Sequence, residues 1–334
     1  MIITSTPLRI SFFGGGSDLP NFYNRSDNGN VLSVTIDKSI KIAINRCATK
    51  HIRVSYSEFE QVNNVFDVKH DRVRNALKMF RQHTGVEIAS FSDVPTKGTG
   101  LGSSSSFTVG LVNALGVLHD QENFSSESSY TRYDIAERAC NIEIGMCGEA
   151  IGKQDQYAAA FGGFNLINFS RQGVQISPVP TGKSDLNELN NNLVLISTGR
   201  TRSAAAILSK QSENLKNDAL AYNTTTQMSR MAERGKKLLI EKKFDDFGKL
   251  LHDGWELKKL MAVGITDPHI DEMYENVLRS GALGGKLLGA GGGGYILAYV
   301  PVKEKSRFIK NISTYNLNYE FFRFTYEGTQ AVKI

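Results

Sequence analysis

The chain has 334 residues, 40% hydrophobic and 22% charged, which supports a sizeable core in about two domains and excludes a disordered or fibrous chain. A net charge of +5 is too mild for the dense basic face of a nucleic-acid binder and suits small anionic substrates. MIITSTPLRISFF lacks the layout of a secretory signal, no apolar run reaches membrane-span length, and Cys47, Cys140 and Cys147 form no C-x-x-C. A cytoplasmic protein with reduced thiols, and no disulfide framework or zinc site, is therefore expected.

The first third reads β-rich. IITSTPLRISFF, VLSVTIDKSIKIAINR and HIRVSYS show strand alternation and β-branched residues. DRVRNALKMFRQHTG is helical, with Val73, Leu77 and Phe80 on one face and Gly85 as its stop. VEIASFSDVP returns to strand, and KGTGLGSSSS follows it. FTVGLVNALGVLHD is apolar almost all round, the pattern of a buried helix. SESSYTRYDIAERACNIEIG is helical through Ile135, Ala139 and Ile142, and GGFNLINFS and GVQISPV are strands. PTGKSDLNELNNN is polar and punctuated, and a domain boundary is placed there, giving domains 1–185 and 186–334. Beyond it, SAAAILSKQSENLKN, YNTTTQMSRMAERGKKLLIEKK and FDDFGKLLHDGWELKKLM are helical. TDPHIDEMYENVLRSG has Asp267 at the N-cap, Pro268 at the first helical position and Gly281 as the stop. YILAYV and YEFFRFTY read as strands. Without regular βαβ alternation, the class is α+β.

Three glycine stretches carry the chemistry. KGTGLGSSSS, Lys97 to Ser106, lies between a strand and an apolar helix. Glycines let backbone approach a ligand, the first N–H groups of a helix lack partners and favour an anion, and serine hydroxyls add donors or a ligand for Mg²⁺. The stretch is not a Walker A loop, because G-x-x-x-x-G-K-[ST] is absent. A flexible linker is the competing reading, which the structured flanks disfavour. GGKLLGAGGGGYILAYV matches G-x-G-x-x-G at Gly289, Gly291 and Gly294, but a strand follows where a dinucleotide site needs a helix, so a close-approach loop is favoured. PLRISFFGGGSDLPNF flanks three glycines with Arg9 and Asp18. It reads either as a surface turn with an exposed ion pair or as a substrate loop presenting a cation and a carboxylate.

In this order the three stretches resemble the motifs of the GHMP small-molecule kinases, across nearly the whole chain. The resemblance implies an N-terminal domain like ribosomal protein S5 domain 2, a ferredoxin-like C-terminal domain, and an active site between them. GKQDQYAAAFGG and GGGSDLP look most like the D-glycero-D-manno-heptose 7-phosphate kinases. These phosphorylate an anomeric hydroxyl to give the 1,7-bisphosphate on the route to GDP-heptose for surface polysaccharide. Galactokinase-like members carry Glu-His where this chain has Gly15-Gly16, which argues against galactose.

The resemblance also implies roles. Asp155 matches the catalytic aspartate, and a general base contributes roughly 10²–10⁴-fold; a plain helix N-cap is its structural alternative. Arg9 matches the basic residue beside it, able to stabilise charge on the transferring phosphoryl group. Asp18 matches the sugar-hydroxyl acceptor, with Gly15, Gly16 and Ser17 in the same substrate loop. Lys97, Gly98, Gly100, Gly102 and Ser103 to Ser106 (Ser103, Ser104, Ser105, Ser106) form the ATP loop. Ser104 and Glu143 match the Mg²⁺ ligands, with Glu149 the competitor for Glu143. Gly289, Gly291 and Gly292 support the substrate loop. For a substrate phosphate, Arg200 and Arg202 stand before a helix start, with Lys153 another candidate and a fold-stabilising salt bridge the alternative. The adenine pocket is not legible, although Ser55-Tyr56-Ser57 could contribute.

The expected partners are a sugar phosphate and ATP, with no nucleic acid and no membrane. The oligomeric state stays open, a homodimer included. The competing functions are a fucokinase-like or other sugar-1-kinase, a catalytically silent sugar and ATP sensor, and a Rossmann oxidoreductase.

Overall fold

The structure is a computed structural model and describes residues 1–26, 28–95, 98–120, 130–201 and 204–334. In chain order its elements begin with β1 (Ile2–Phe13), α1 (Pro20–Ser26), β2 (Gly29–Arg46), β3 (Ile52–Ser55), β4 (Phe59–Val62), α2 (Asp71–Met79) and β5 (Val86–Ser92). Then come α3 (Ser103–Asp120), α4 (Arg132–Cys140), α5 (Gln154–Phe161), β6 (Phe164–Ser170), β7 (Gly173–Pro178), α6 (Lys183–Asn191) and β8 (Leu193–Ser197). The remainder is α7 (Ala204–Asn217), α8 (Ala219–Ile240), α9 (Phe244–Lys259), α10 (Pro268–Arg279), β9 (Gly284–Leu287), β10 (Tyr295–Tyr299), α11 (Lys305–Thr314), β11 (Tyr319–Glu320), β12 (Phe324–Thr325) and β13 (Gln330–Lys333).

The class is α+β, built on two sheets. The larger runs β13-β1-β2-β5-β3-β4, with β6, β7 and β12 joined along the other end of β2. Its centre is β2, whose first eight residues are all buried; the β-branched run in VLSVTI suits a strand covered on both faces. Helix α3 packs on β1 and β2. Gly110 makes the approach possible, because a Cβ there would stand 2.7 Å from Thr6 Oγ1, while the Thr4 hydroxyl donates to the Gly110 carbonyl at 3.0 Å. The smaller sheet is antiparallel, in the order β11-β8-β10-β9. With α9, α10 and α11 it encloses a second core around Trp255, Tyr274 and Phe308.

Several local expectations are met. Asp267 accepts from Ile270 N at 3.0 Å as the N-cap of α10, with Pro268 leading the helix. Helix α3 is buried almost all round. The structure adds a feature not expected from the sequence, a reciprocal capping box of Thr131 and Asp134 at the start of α4.

Other expectations need correction. Helix α2 ends at Met79 rather than near Gly85, because Arg81 turns left-handed (φ 54°) and Gln82 N bonds back to Leu77 O at 2.9 Å. The polar stretch at which the domain boundary is placed holds α6, a helix the sequence reading did not include, with an inner face of buried Leu186 and Leu189. YEFFRFTY is two short bridges: β11 serves the small sheet, and β12 serves the large one. The last strand, β13, returns to pair with β1. No described helix is long and apolar enough to cross a membrane.

Candidate active site

The three glycine stretches converge. Gly98, Gly100 and Gly102 all have left-handed backbone (φ 73°, 77° and 76°), so the chain turns tightly from Gly98 to Gly102 before α3 begins at Ser103. The third stretch packs onto this loop backbone to backbone. A Cβ on Gly100 would stand 2.5 Å from Leu288 O, and one on Gly289 would stand 2.5 Å from Gly100 Cα. Gly294 meets Thr99 O in the same way, and Gly291 abuts Ile265. Gly292 is also left-handed, at φ 75°, and its N–H donates to Ile265 O. Side chains at these positions would hold the loops apart.

Against this seam lies Arg9, in the middle of β1 and buried. Its Nε and Nη2 donate to Asp155 Oδ1 and Oδ2, both at 2.7 Å, and its Nη1 donates to Gly100 O at 2.6 Å. The paired bonds have the fork geometry that suits a carboxylate, so Asp155 is held in one orientation and each oxygen keeps acceptor capacity beyond its bond to Arg9. Asp155 lies in the first turn of α5 and keeps 23% of its side chain exposed. The pair therefore sits at a rim.

Asp18 stands behind that rim. Gly16 N and Gln154 Nε2 donate to its Oδ1 at 3.0 and 2.9 Å, and Gln154 N to Oδ2 at 3.2 Å. Gly152 leaves its carboxylate room that no Cβ would. Burial, then the charge of Asp155, raises the Asp18 carboxyl above its ordinary value, against the pull of these donors. Gly15 and Gly16 form the turn before Asp18. Ser17 is fully buried, and its one hydroxyl proton is shared between Gly14 O at 2.7 Å and Asn30 O at 3.0 Å, which closes the turn.

The serines of the second stretch divide by direction. Ser106 donates to Pro7 O at 2.8 Å and ties α3 to β1. Ser105 donates to Glu143 Oε2 at 2.8 Å. Ser103 is buried, and Ser104 is the partly exposed one. Glu143, on a π-helical turn after α4, has no solvent exposure. Thr108 donates to its Oε1 at 2.6 Å, Gln156 donates to its Oε2, and Arg72 Nε stands 3.2 Å from Oε1 as an ion pair off hydrogen-bond alignment. Arg72 also pairs with Glu149 at 2.7 Å. Burial raises the Glu143 carboxyl against Arg72 and these donors. Each oxygen already has two protein partners. In this arrangement Ser104 and Glu143 together do not present the open oxygens that Mg²⁺ requires.

Two lysines that the sequence did not single out lie beneath the seam. Lys258, at the end of α9, donates to Leu287 O at 3.2 Å and to Gly289 O; Lys286, on β9, donates to Ser11 O and Phe12 O at 2.9 and 2.8 Å. The signal that would have marked Lys286 is a lone cation in the otherwise uncharged run GGKLLGAGGGG. Nothing local marked Lys258.

Arg200 is half exposed and stands 3.6 Å from Asp267, while its carbonyl accepts from Gly294 N at 2.8 Å. Lys153 pairs with Glu137 at 3.3 Å. Tyr56 meets His70 edge to face, and His70 stacks on Phe107 in the second turn of α3. Lys97 and Arg202 lie outside the described residues.

The geometry fits what comparison with known proteins finds. Over its full length the chain is 29% identical to D-glycero-alpha-D-manno-heptose 7-phosphate kinase of Campylobacter jejuni, covering 99% of that protein. It is 25% identical to a bifunctional fucokinase/GDP-fucose pyrophosphorylase of Arabidopsis thaliana over 91% of the chain, which is 30% of that longer protein. A D-glycero-D-manno-heptose 1-phosphate kinase structure from Bacteroides thetaiotaomicron superposes with a TM-score of 0.78 at 24% identity, covering 100% of this chain and 99% of that one. The family model for the GHMP kinases N terminal domain matches residues 71–163, and that for the GHMP kinases C terminal domain matches residues 236–312. The two matches span just over half of the sequence, and the chain belongs to the GHMP kinase family.

Proposed function

We propose that this kinase transfers the γ-phosphoryl group of ATP to the anomeric hydroxyl of a sugar phosphate, D-glycero-D-manno-heptose 7-phosphate, giving the 1,7-bisphosphate. The reaction would serve GDP-heptose supply for surface polysaccharide, in the cytoplasm. The observation that carries the reading is the bidentate Arg9–Asp155 pair at the rim where the glycine loops meet. The heptose 7-phosphate kinase resemblance at 29% identity supports the choice of sugar.

In this reading Asp155 accepts the proton of the attacking hydroxyl as its oxygen bonds to phosphorus and the bond to the ADP oxygen breaks. Arg9 stays paired and offers positive charge beside the transferring group. Asp18, held by Gly16 and Gln154, accepts from sugar hydroxyls. The N–H groups at the start of α3 and the Ser104 hydroxyl face the ATP phosphates. Mg²⁺ would neutralise phosphate charge when it accompanies ATP, and no step is assigned to Glu143 as its ligand. Arg200, with Arg202, holds the substrate phosphate.

The test follows ADP release with Mg-ATP and a panel of sugars and sugar phosphates. Release with heptose 7-phosphate alone is expected, and Asp155→Asn should lower turnover at least about 10²-fold while ATP binding persists. Silence on the whole panel, or full activity of Asp155→Asn, would sink the reading.

A further inference from the structure

Lys258 is 7% exposed, and its ammonium lies under the third glycine stretch. It grips two carbonyls of that stretch, Leu287 O and Gly289 O, one on either side of Leu288. Leu288 O and Gly289 are the groups that press on Gly100, and Gly100 O is the acceptor that anchors Arg9 Nη1 at 2.6 Å. A continuous physical chain therefore runs from Lys258 through the two loops and Arg9 to the Asp155 carboxylate. Every link in it is a hydrogen bond or a close approach of backbone that leaves no room for a Cβ.

We propose that Lys258 is a positioning residue for phosphoryl transfer: by holding the Leu287 and Gly289 carbonyls, it seats the third glycine loop on Gly100 and so sets the place of the Arg9–Asp155 pair. The inference rests on the kinase reading. It goes beyond it by assigning a role to a side chain that stands one loop behind the reacting groups.

The charge arrangement supports this role. Among the described residues, the charge acting on Lys258 is that of Arg9 on β1, and those acting on the neighbouring Lys286 of β9 are Lys258 and Arg9, all cations, with Asp155 lying beyond Arg9. Burial first, then Arg9, brings the Lys258 ammonium down to about 7, and burial, then Lys258 and Arg9, holds Lys286 well below its ordinary value. The sign follows directly. Below about pH 7 Lys258 is an ammonium with three donors, and above it the free enzyme loses the charge that grips the carbonyls. Bound polyphosphate would favour the ammonium again, so ATP binding above neutrality should take up a proton.

The test uses the full chain with Mg-ATP and its sugar phosphate, with wild-type turnover as the separate check on the kinase reading. Lys258→Met keeps the length of the side chain and removes the donors and the charge. Its kcat should fall about 10- to 100-fold, the scale of a roughly 1 Å displacement at the reacting groups, while KM for the sugar phosphate stays within about threefold. The wild-type kcat/KM for ATP should decline as pH rises above neutrality, and Lys258→Met should lack that limb. Titration calorimetry in two buffers of different ionisation enthalpy should show less proton uptake for the variant. Lys258→Met with kcat within about twofold of wild type would overturn the proposal. Should the variant fail to fold, Gly289→Ala serves instead, because its methyl would stand 2.5 Å from Gly100 Cα and lift the loop that Lys258 holds; a kcat within about twofold of wild type in that variant would overturn the proposal.

Discussion

Gly100→Ala tests the seam directly. The methyl would stand 2.5 Å from Leu288 O and 2.7 Å from its carbonyl carbon, against 3.4 Å or more for ordinary contact. Both obstacles are backbone, so the loops must part by roughly 1 Å, and Gly100 O carries Arg9 Nη1 with it. The backbone at Gly100 is also left-handed at φ 77°, which costs a non-glycine residue about 1–2 kcal/mol. Gly148 separates the two effects. It has φ 69° and nothing within 4 Å of an added Cβ, so Gly148→Ala carries the strain without the collision. Both variants should lose about 1–2 kcal/mol in denaturant unfolding, with an added loss for Gly100→Ala. Turnover separates them further: a roughly 1 Å error at the reacting groups costs about 10²-fold, so Gly100→Ala should be nearly inactive and Gly148→Ala close to wild type. Equal turnover within twofold would refute the claim that the seam positions Arg9 and Asp155.

Glu143→Ala should cost about 3–5 kcal/mol, because it leaves Arg72, Ser105, Thr108 and Gln156 without their buried acceptor; a loss under about 1 kcal/mol in urea unfolding would show the cluster to be slack. Asp18 makes stability depend on pH. Its folded carboxyl is raised above the ordinary 3.8, so the folded state binds the proton more tightly. The resulting stabilisation is full below 3.8 and is lost as pH rises through the folded value. The melting temperature of wild type relative to Asp18→Asn should therefore climb as pH falls across that window. A constant difference between the two would show that Asp18 is not buried as described.

The legibility of the site tracked how local its chemistry is. The strand–glycine–serine–helix order around Gly98 to Ser106 could be read directly, because loop and helix terminus are consecutive in sequence. Direction within that loop could not. Four adjacent serines look equivalent in sequence, yet Ser105 and Ser106 turn inward to Glu143 and Pro7 while Ser104 stays partly exposed. Ser17 illustrates the same limit: its type fits a sugar contact, but Gly14 and Asn30 already use its hydroxyl. Arg72 was invisible, since its partners Glu143 and Glu149 lie more than 70 residues away.

Residue order by itself determined the α+β class, the glycine turns, the caps of α10 and the set of residue types able to handle phosphate, since these depend on backbone freedom and on neighbours a few positions apart. The motif resemblance already set Arg9 beside Asp155, but only the tertiary structure decided that the pair is a two-bond fork anchored on Gly100 O, that Gly100 meets Gly289, and that two lysines lie beneath the seam. The physical reason is burial. Which partner a charged group finds when it leaves water is set by how strands and helices pack, and that packing is long-range.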